Sequence, residues 1–246
     1  MAAEPPAPSL HIVVCVEGAI GVGKSTLCRA MHELLPSRCS VVPECVPLAL
    51  QQLYYAEPRR YAFALQLYAA SQRAHTLAAL LRASPRRHGG GTHYTFVDRS
   101  VVGDWAFASC NRTHKNLDER EWCVYKDVIG CTPEDALERA LRTMHLQTRL
   151  VVLYLHDDAD RCIARARARS DTEKGASAEY MRDVQREHEW CVQNVSLCTY
   201  AEEPHAAGVV ALPDCAVMTL HFDEYASVRH SLADAETLLT MLADRV

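Results

Sequence analysis

The sequence predicts an α/β protein built on a parallel sheet covered by helices on both faces. Short apolar, β-branched runs alternate with helix-length segments from residue 11 onward. The strand runs are apolar at consecutive positions, as strands buried on both faces require. A glycine loop, "VEGAIGVGKSTL" from Val16 to Leu27, joins the first strand run to the first helical one. With 246 residues of which 49% are hydrophobic, the chain can bury one good core. A single domain over 11–246 is expected, behind a flexible tail over 1–10.

In chain order, His11 to Val16 reads as a buried strand and Lys24 to Leu35 as a helix, followed by a short β-branched run from Ser40 to Pro43. Pro58 opens a long helical pattern to Arg82, with Phe63, Leu67, Ala70, Leu77 and Leu81 near helical spacing. "SPRRHGGG" (Ser84 to Gly91) is a loop by its Pro and Gly content. Tyr94 to Val97 is a third strand that ends on Asp98. Helical text from Val101 to Met144 breaks near Gly130 and Pro133, and "LVVLYL" (Leu150 to Leu155) is a fourth strand. Asp158 or Asp160 is suited to cap the arginine-rich helix that follows. A helix from Ala178 to Leu197, a strand from Ala216 to Phe222 and a C-terminal helix complete the pattern.

A net charge of -5 supplies no electrostatic footprint for a long polyanion, so nucleic acid is not an expected partner. Eleven cysteines form an odd set with no Cys-x-x-Cys pair, which points to reduced, buried thiols rather than disulfides or zinc. The opening residues carry no basic region or long apolar stretch, and no run approaches the ~18 apolar residues of a membrane span. A soluble, intracellular and cytoplasmic protein is expected.

The glycine loop is the strongest signal. Gly-x-x-x-x-Gly-Lys-Ser between a strand and a helix aims backbone N–H groups and a helix N-terminus at a triphosphate. Gly18, Ala19, Gly21, Val22, Gly23, Lys24, Ser25 and Thr26 form this nucleotide site, with Lys24 reaching the outer phosphates and the Ser25 hydroxyl reaching Mg²⁺. Carboxylates at the ends of neighbouring parallel strands lie beside such a loop, and Asp98 and Glu44 both stand there. Phosphoryl transfer to a hydroxyl calls for a metal holder and for a group that orients or deprotonates the acceptor. In "RARARS", Arg165 and Arg169 share one helical face with Arg161 while Arg167 points nearly opposite. Guanidinium groups on a segment closing over a nucleotide would stabilise charge on the transferring group, and the polar stretch after them reads as a lid hinge.

Read together, "EGAIGVGKST", Glu44 in "VVPECV", "YYAEPRRYAFALQLYAASQR", "DRS" at 98–100 and "RARARSDTEKG" followed by "EYM" and "HEW" resemble the deoxynucleoside kinase family, in order from about residue 11 to 195. The resemblance implies a P-loop NTPase-type five-stranded parallel sheet with an arginine-rich lid over about 165–177. It implies transfer of the ATP γ-phosphoryl group to the 5′-hydroxyl of a small-molecule deoxynucleoside, with Mg²⁺, by a homodimer. By position, Glu44 resembles the base that takes the 5′-hydroxyl proton, and Arg99 the arginine that braces it. Asp98 stands where the family usually has Glu, one methylene shorter, which implies a water-mediated metal contact. Tyr55 and Glu173 resemble the pair that grips the sugar 3′-hydroxyl, Gln66 the amide that reads the base edge, and Phe107 the ring that stacks on the base. Arg165, Arg167 and Arg169 match the lid arginines. Ala69 with the pair Arg73 and Asp104 is the deoxycytidine-kinase-like arrangement, which implies deoxycytidine and purine deoxynucleosides before thymidine. The sequence departs from the family at Cys45, where no Trp follows, and at Tyr61; the altered wall leaves a thymidine kinase of this fold as the alternative.

Other classes fit less well. A GTPase would carry Asn-Lys-x-Asp, and a nucleoside monophosphate kinase, whose acceptor is a phosphate, does not call for a base at Glu44. "HGGG" at 88–91 lacks a Gly-x-Ser-x-Gly nucleophile to serve as an esterase loop.

Overall fold

The computed structural model describes residues 10–83, 91–142, 144–169, 176–199 and 215–246. Residues 1–9 of the expected tail, most of the Ser84 to Gly91 loop, and residues 170–175 of the expected lid, with Glu173 among them, lie outside the described residues. The elements are β1 (His11–Gly18), α1 (Lys24–Leu34), β2 (Cys39–Val42), α2 (Leu48–Ala56), α3 (Pro58–Arg82), β3 (His93–Asp98), α4 (Val101–Thr113), α5 (Glu119–Ile129), α6 (Pro133–Leu141), β4 (Thr148–His156), α7 (Ala159–Arg169), α8 (Ala178–Thr199), β5 (Cys215–His221), α9 (Phe222–Tyr225), a 3₁₀ turn (Ser227–Arg229) and α10 (Leu232–Ala243).

The strands form a five-stranded sheet in the order β2-β3-β1-β4-β5, with every adjacent pair parallel. All of β1 is buried, because its alternate side chains feed two different cores. Val13 and Cys15 join residues of α3 to α6 and α8, whereas Ile12, Val14 and Val16 pack with residues of α1 and α10. The chain leaves β1 towards β2 and leaves β3 towards β4. The neighbours β1 and β3 therefore form the topological switch point, where a crevice opens beyond the strand carboxyl ends. Their register pairs Val16 with Asp98 and so sets that carboxylate beside the glycine loop.

The predicted bounds of α3 hold at both ends, with Pro58 in the first turn where its missing N–H costs nothing. Nine residues of helix were missed. In α2 only Tyr54 is buried, while Leu48 and Leu53 sit on the exposed side and blur the helical period. The 101–144 region breaks once more than expected. Lys115 adopts a left-handed backbone with φ 57°, and Asp118 starts α5 with a reciprocal capping box to Glu121. The cap of α7 falls to Asp158, whose carboxylate accepts from the N–H groups of Asp160 and Arg161. The single C-terminal helix expected after β5 resolves into α9, the 3₁₀ turn and α10. Ten of the cysteines are free thiols, most of them buried, with Cys123 and Cys131 exposed. None of the described helices is long and apolar enough to cross a membrane.

Candidate active site

The glycine loop connects β1 to α1 through backbone that side chains would obstruct. A Cβ at Gly18 would lie 2.5 Å from the carbonyl oxygen of Leu155, and one at Gly21, where φ is 82°, would lie 2.1 Å from that of Cys162. The loop is therefore wedged between β4 and α7. Lys24 opens α1 and folds back into the loop, its Nζ donating to the carbonyls of Gly18 (3.0 Å) and Ala19 (2.8 Å). Burial, aided by nearby Arg99, lowers its pKa to about 7. A phosphate beside it would favour the charged form. Ser25 is half-buried and lines the cleft at the head of the loop.

Asp98 ends β3 almost fully buried, and its Oδ1 has no hydrogen-bond partner among the described residues. A buried, unsatisfied carboxylate oxygen beside a phosphate loop fits a hard divalent cation, so Asp98 and Ser25 are compatible with Mg²⁺. The next residue, Arg99, takes the left-handed conformation with φ 77°, which is uncommon for a residue with a side chain and turns it back over the site. Its guanidinium faces the carbonyl of Gly18 (3.4 Å), Glu44 (3.5 Å) and Nε2 of His188 (3.5 Å), and its centre lies 4.7 Å above the Phe107 ring.

Glu44, just beyond β2, is the hub on the acceptor side. Its Oε1 accepts from Arg73 Nη2 at 2.5 Å, and the other arm of Arg73 holds Asp104. Burial would raise the Glu44 pKa, but Arg99, Arg73 and Lys24 outweigh it and hold the carboxyl below its usual value. The carboxylate is therefore ionised at neutral pH. Asp104 is fully enclosed, and burial pushes it up to about 7 against the pull of Arg73. Arg73 itself is held charged by Asp104 and Glu44 despite its burial.

Three spaces surround these groups. A cavity open to solvent on the acceptor side is bordered by Glu44, Tyr55, Gln66, Arg73, Arg99, Asp104 and Phe107. All the acceptor-side residues expected from the sequence meet there except Glu173, which is not described. Ala69, the small residue of the specificity set, borders it too. A second space, beyond the loop, lies among Gly23, Thr26, Arg165, Phe222, Tyr225 and Arg229. A narrow polar cleft containing Lys24, Ser25, Glu44, Arg99 and Arg169 runs along the loop. Arg165 and Arg169 thus face the loop, whereas Arg167 is exposed and borders none of the three spaces.

Several contributors escaped the sequence. Glu17, fully buried inside the glycine motif, accepts from the N–H and hydroxyl of Ser100 (2.6 Å each) and the N–H of Gly103 (3.0 Å), so it caps α4 from the neighbouring strand. His188 receives the Arg99 contact, with its Nδ1 donating to the carbonyl of Val184; burial and Arg99 pull its pKa well below the ordinary value, so it stays neutral. Tyr225 donates from its hydroxyl to the carbonyl of Val22 and fixes the far wall of the loop. The only local signal for Glu17 was a charge inside an apolar strand.

Comparisons with known proteins agree with this geometry. The family model described as "Deoxynucleoside kinase" matches residues 14–229. Deoxycytidine kinase 2 of Gallus gallus is 28% identical over 199 residues, which cover 72% of each chain. A deoxyguanosine kinase of Dictyostelium discoideum is 26% identical over 170 residues, covering 69% of this chain and 54% of that one. In three dimensions the chain resembles a deoxyadenosine kinase from M. mycoides, solved with products dCMP and a flexible dCDP bound, at a TM-score of 0.62 with 16% identity, covering 96% of this chain and 100% of that one. With a match running from β1 through the 3₁₀ turn, the chain belongs to the deoxynucleoside kinase family, a family of phosphotransferases acting on deoxynucleosides.

Proposed function

We propose that this kinase moves the γ-phosphoryl group of ATP to the 5′-hydroxyl of deoxycytidine and purine deoxynucleosides in preference to thymidine. The observation that carries this reading is that Glu44 and Arg99 border both the acceptor cavity and the cleft along the glycine loop. A hydroxyl presented from the cavity would meet an ionised carboxylate on one side and the phosphate site on the other, which is the arrangement in-line transfer needs. Glu44 takes the proton as the new P–O bond forms, and Arg99 holds Glu44 in place. Lys24, Arg165 and Arg169 bear on the donor phosphates from three directions. Mg²⁺, held by Ser25 and Asp98, would neutralise charge on those phosphates.

The base preference rests on Arg73 and Asp104. Oδ2 of Asp104 and Nε of Arg73 are buried without partners among the described residues, so the pair keeps both an acceptor and a donor for a polar base edge, beside the Gln66 amide. The relatives named for deoxycytidine and deoxyguanosine support the same preference. Parallel turnover assays with ATP and each of the four deoxynucleosides test the proposal. Deoxycytidine, deoxyadenosine and deoxyguanosine should all exceed thymidine. Thymidine far ahead of the rest would overturn the specificity, and no turnover with any would overturn the reaction.

A further inference from the structure

We propose that Asp157 is a positioning residue for the donor half of the reaction, acting through Arg165; the inference rests on the function proposed above. Asp157 is the first residue beyond β4, and its side chain is fully enclosed. Its Oδ2 accepts from Arg165 Nη2 at 2.5 Å, and Arg161 Nη2 lies 2.7 Å from Oδ1. Its own carbonyl accepts from the Gln185 amide of α8 at 3.2 Å, which pins the carboxylate to the body of the protein. Arg165 is in turn held by the glycine loop and an aromatic ring. Its Nε donates to the carbonyl of Gly21 at 2.9 Å, and its guanidinium centre stands 4.8 Å from the Phe222 ring centroid.

This geometry does more than tie α7 to the sheet. A half-exposed arginine on a helix normally samples many rotamers. Here the Nε and Nη2 edge is committed to a carboxylate and to the glycine loop, so the guanidinium is fixed at the loop. Sharing one carboxylate between two arginines leaves the trio net positive beside the phosphate site, where a single pair would be neutral. Because Arg161 also neutralises Asp157, loss of Arg165 does not strand a buried charge. Loss of the Asp157 charge frees Arg165 instead.

The test compares wild type, Asp157→Asn, Arg165→Ala, the double variant and Asp160→Asn by steady-state kinetics with ATP and the best deoxynucleoside, and by calorimetric titration with ATP. Asp160, on the exposed side of α7, pairs with Arg182 of α8 and with none of the groups invoked here, so its variant should match wild type. Asp157→Asn should raise the ATP KM and Kd on the order of tenfold, the scale of one charge-assisted contact, with the deoxynucleoside KM unchanged. The double variant should be no worse than Arg165→Ala, because a residue that acts through Arg165 has nothing to add once Arg165 is gone. Should Asp157→Asn fail to fold, Arg165→Lys keeps Asp157 paired while removing the fork, and the same donor-specific loss is expected. An unchanged ATP KM, equal damage to both substrates or additive losses in the double variant would each overturn the inference. A wild type that binds ATP but phosphorylates no deoxynucleoside would instead overturn the proposed function, with the titrations still reading the Asp157 and Arg165 coupling.

Discussion

The acceptor side and the donor side of this site are built by different means. On the acceptor side, buried side chains do the work: Arg73 bridges Glu44 and Asp104, and Arg99 braces Glu44 from above Phe107. On the donor side the backbone dominates. Lys24 and Arg165 both donate to loop carbonyls, Tyr225 ties down Val22, and glycines leave no room for side chains. A side-chain network can be re-specified by a few substitutions, whereas a backbone cradle is fixed by the fold.

The sharpest way to separate the two halves is Glu44→Gln. Removing the proposed proton acceptor should lower kcat by about 10²–10⁴-fold, the usual worth of general-base catalysis, while ATP affinity in a calorimetric titration stays near wild type. Equal loss of both would mean that the halves are not separable. Next in size is Arg73→Met, which removes the cation shared by Glu44 and by Asp104, whose carboxyl burial already pushes up to about 7. Breaking a buried pair costs about 3–5 kcal/mol, so the urea midpoint should fall and the deoxynucleoside KM should rise more than the ATP KM.

On the donor side, Gly21→Ala should cost about 1–3 kcal/mol of backbone strain and raise the ATP KM first, read by the same kinetics. Smallest is the pH effect on ATP binding. Lys24 is lowered to about 7 from an ordinary 10.5. Below pH 7 it is charged in the free enzyme and ready for phosphate; above pH 7 binding must take up a proton. Affinity should therefore weaken by up to about tenfold per pH unit above 7, with proton uptake at pH 8 visible as a buffer-dependent binding enthalpy. Lys24→Met should abolish that uptake. The same shift means that the contribution of Lys24 to folding stability rises between pH 7 and its unfolded pKa, because the unfolded chain holds the proton that the folded one releases.

Local features read well from the sequence because they depend on neighbours in the chain. The glycine loop, the limits of α3 and the carboxylates at the ends of β2 and β3 are written in short-range pattern. The nine residues of α2 were lost because Leu48 and Leu53 break its amphipathic period. The break before α5 was signalled by Asp118 and Glu121 at capping-box spacing. Gln66, Arg73, Asp104 and Phe107 were named as pocket residues through the family resemblance, and they converge on one cavity. The family resemblance grouped the three lid arginines, but the helical angle separates Arg167 from Arg165 and Arg169, and Arg167 stands apart from them.

The sequence by itself determined the α/β class, the nucleotide loop and the two strand-end acids, because strand period, helix period and loop spacing are local properties of the chain. Apart from the Arg73–Asp104 pair and the Arg99 brace on Glu44, which the family resemblance implied, only the tertiary structure decided which charge meets which. Arg73 reaches Glu44 and Asp104 across 29 and 31 residues, Glu17 caps α4 across 83, and Arg165 finds Gly21 across 144. Such partners are selected by packing the sheet and its helices, which brings distant side chains into a low-dielectric interior where only paired charges are stable.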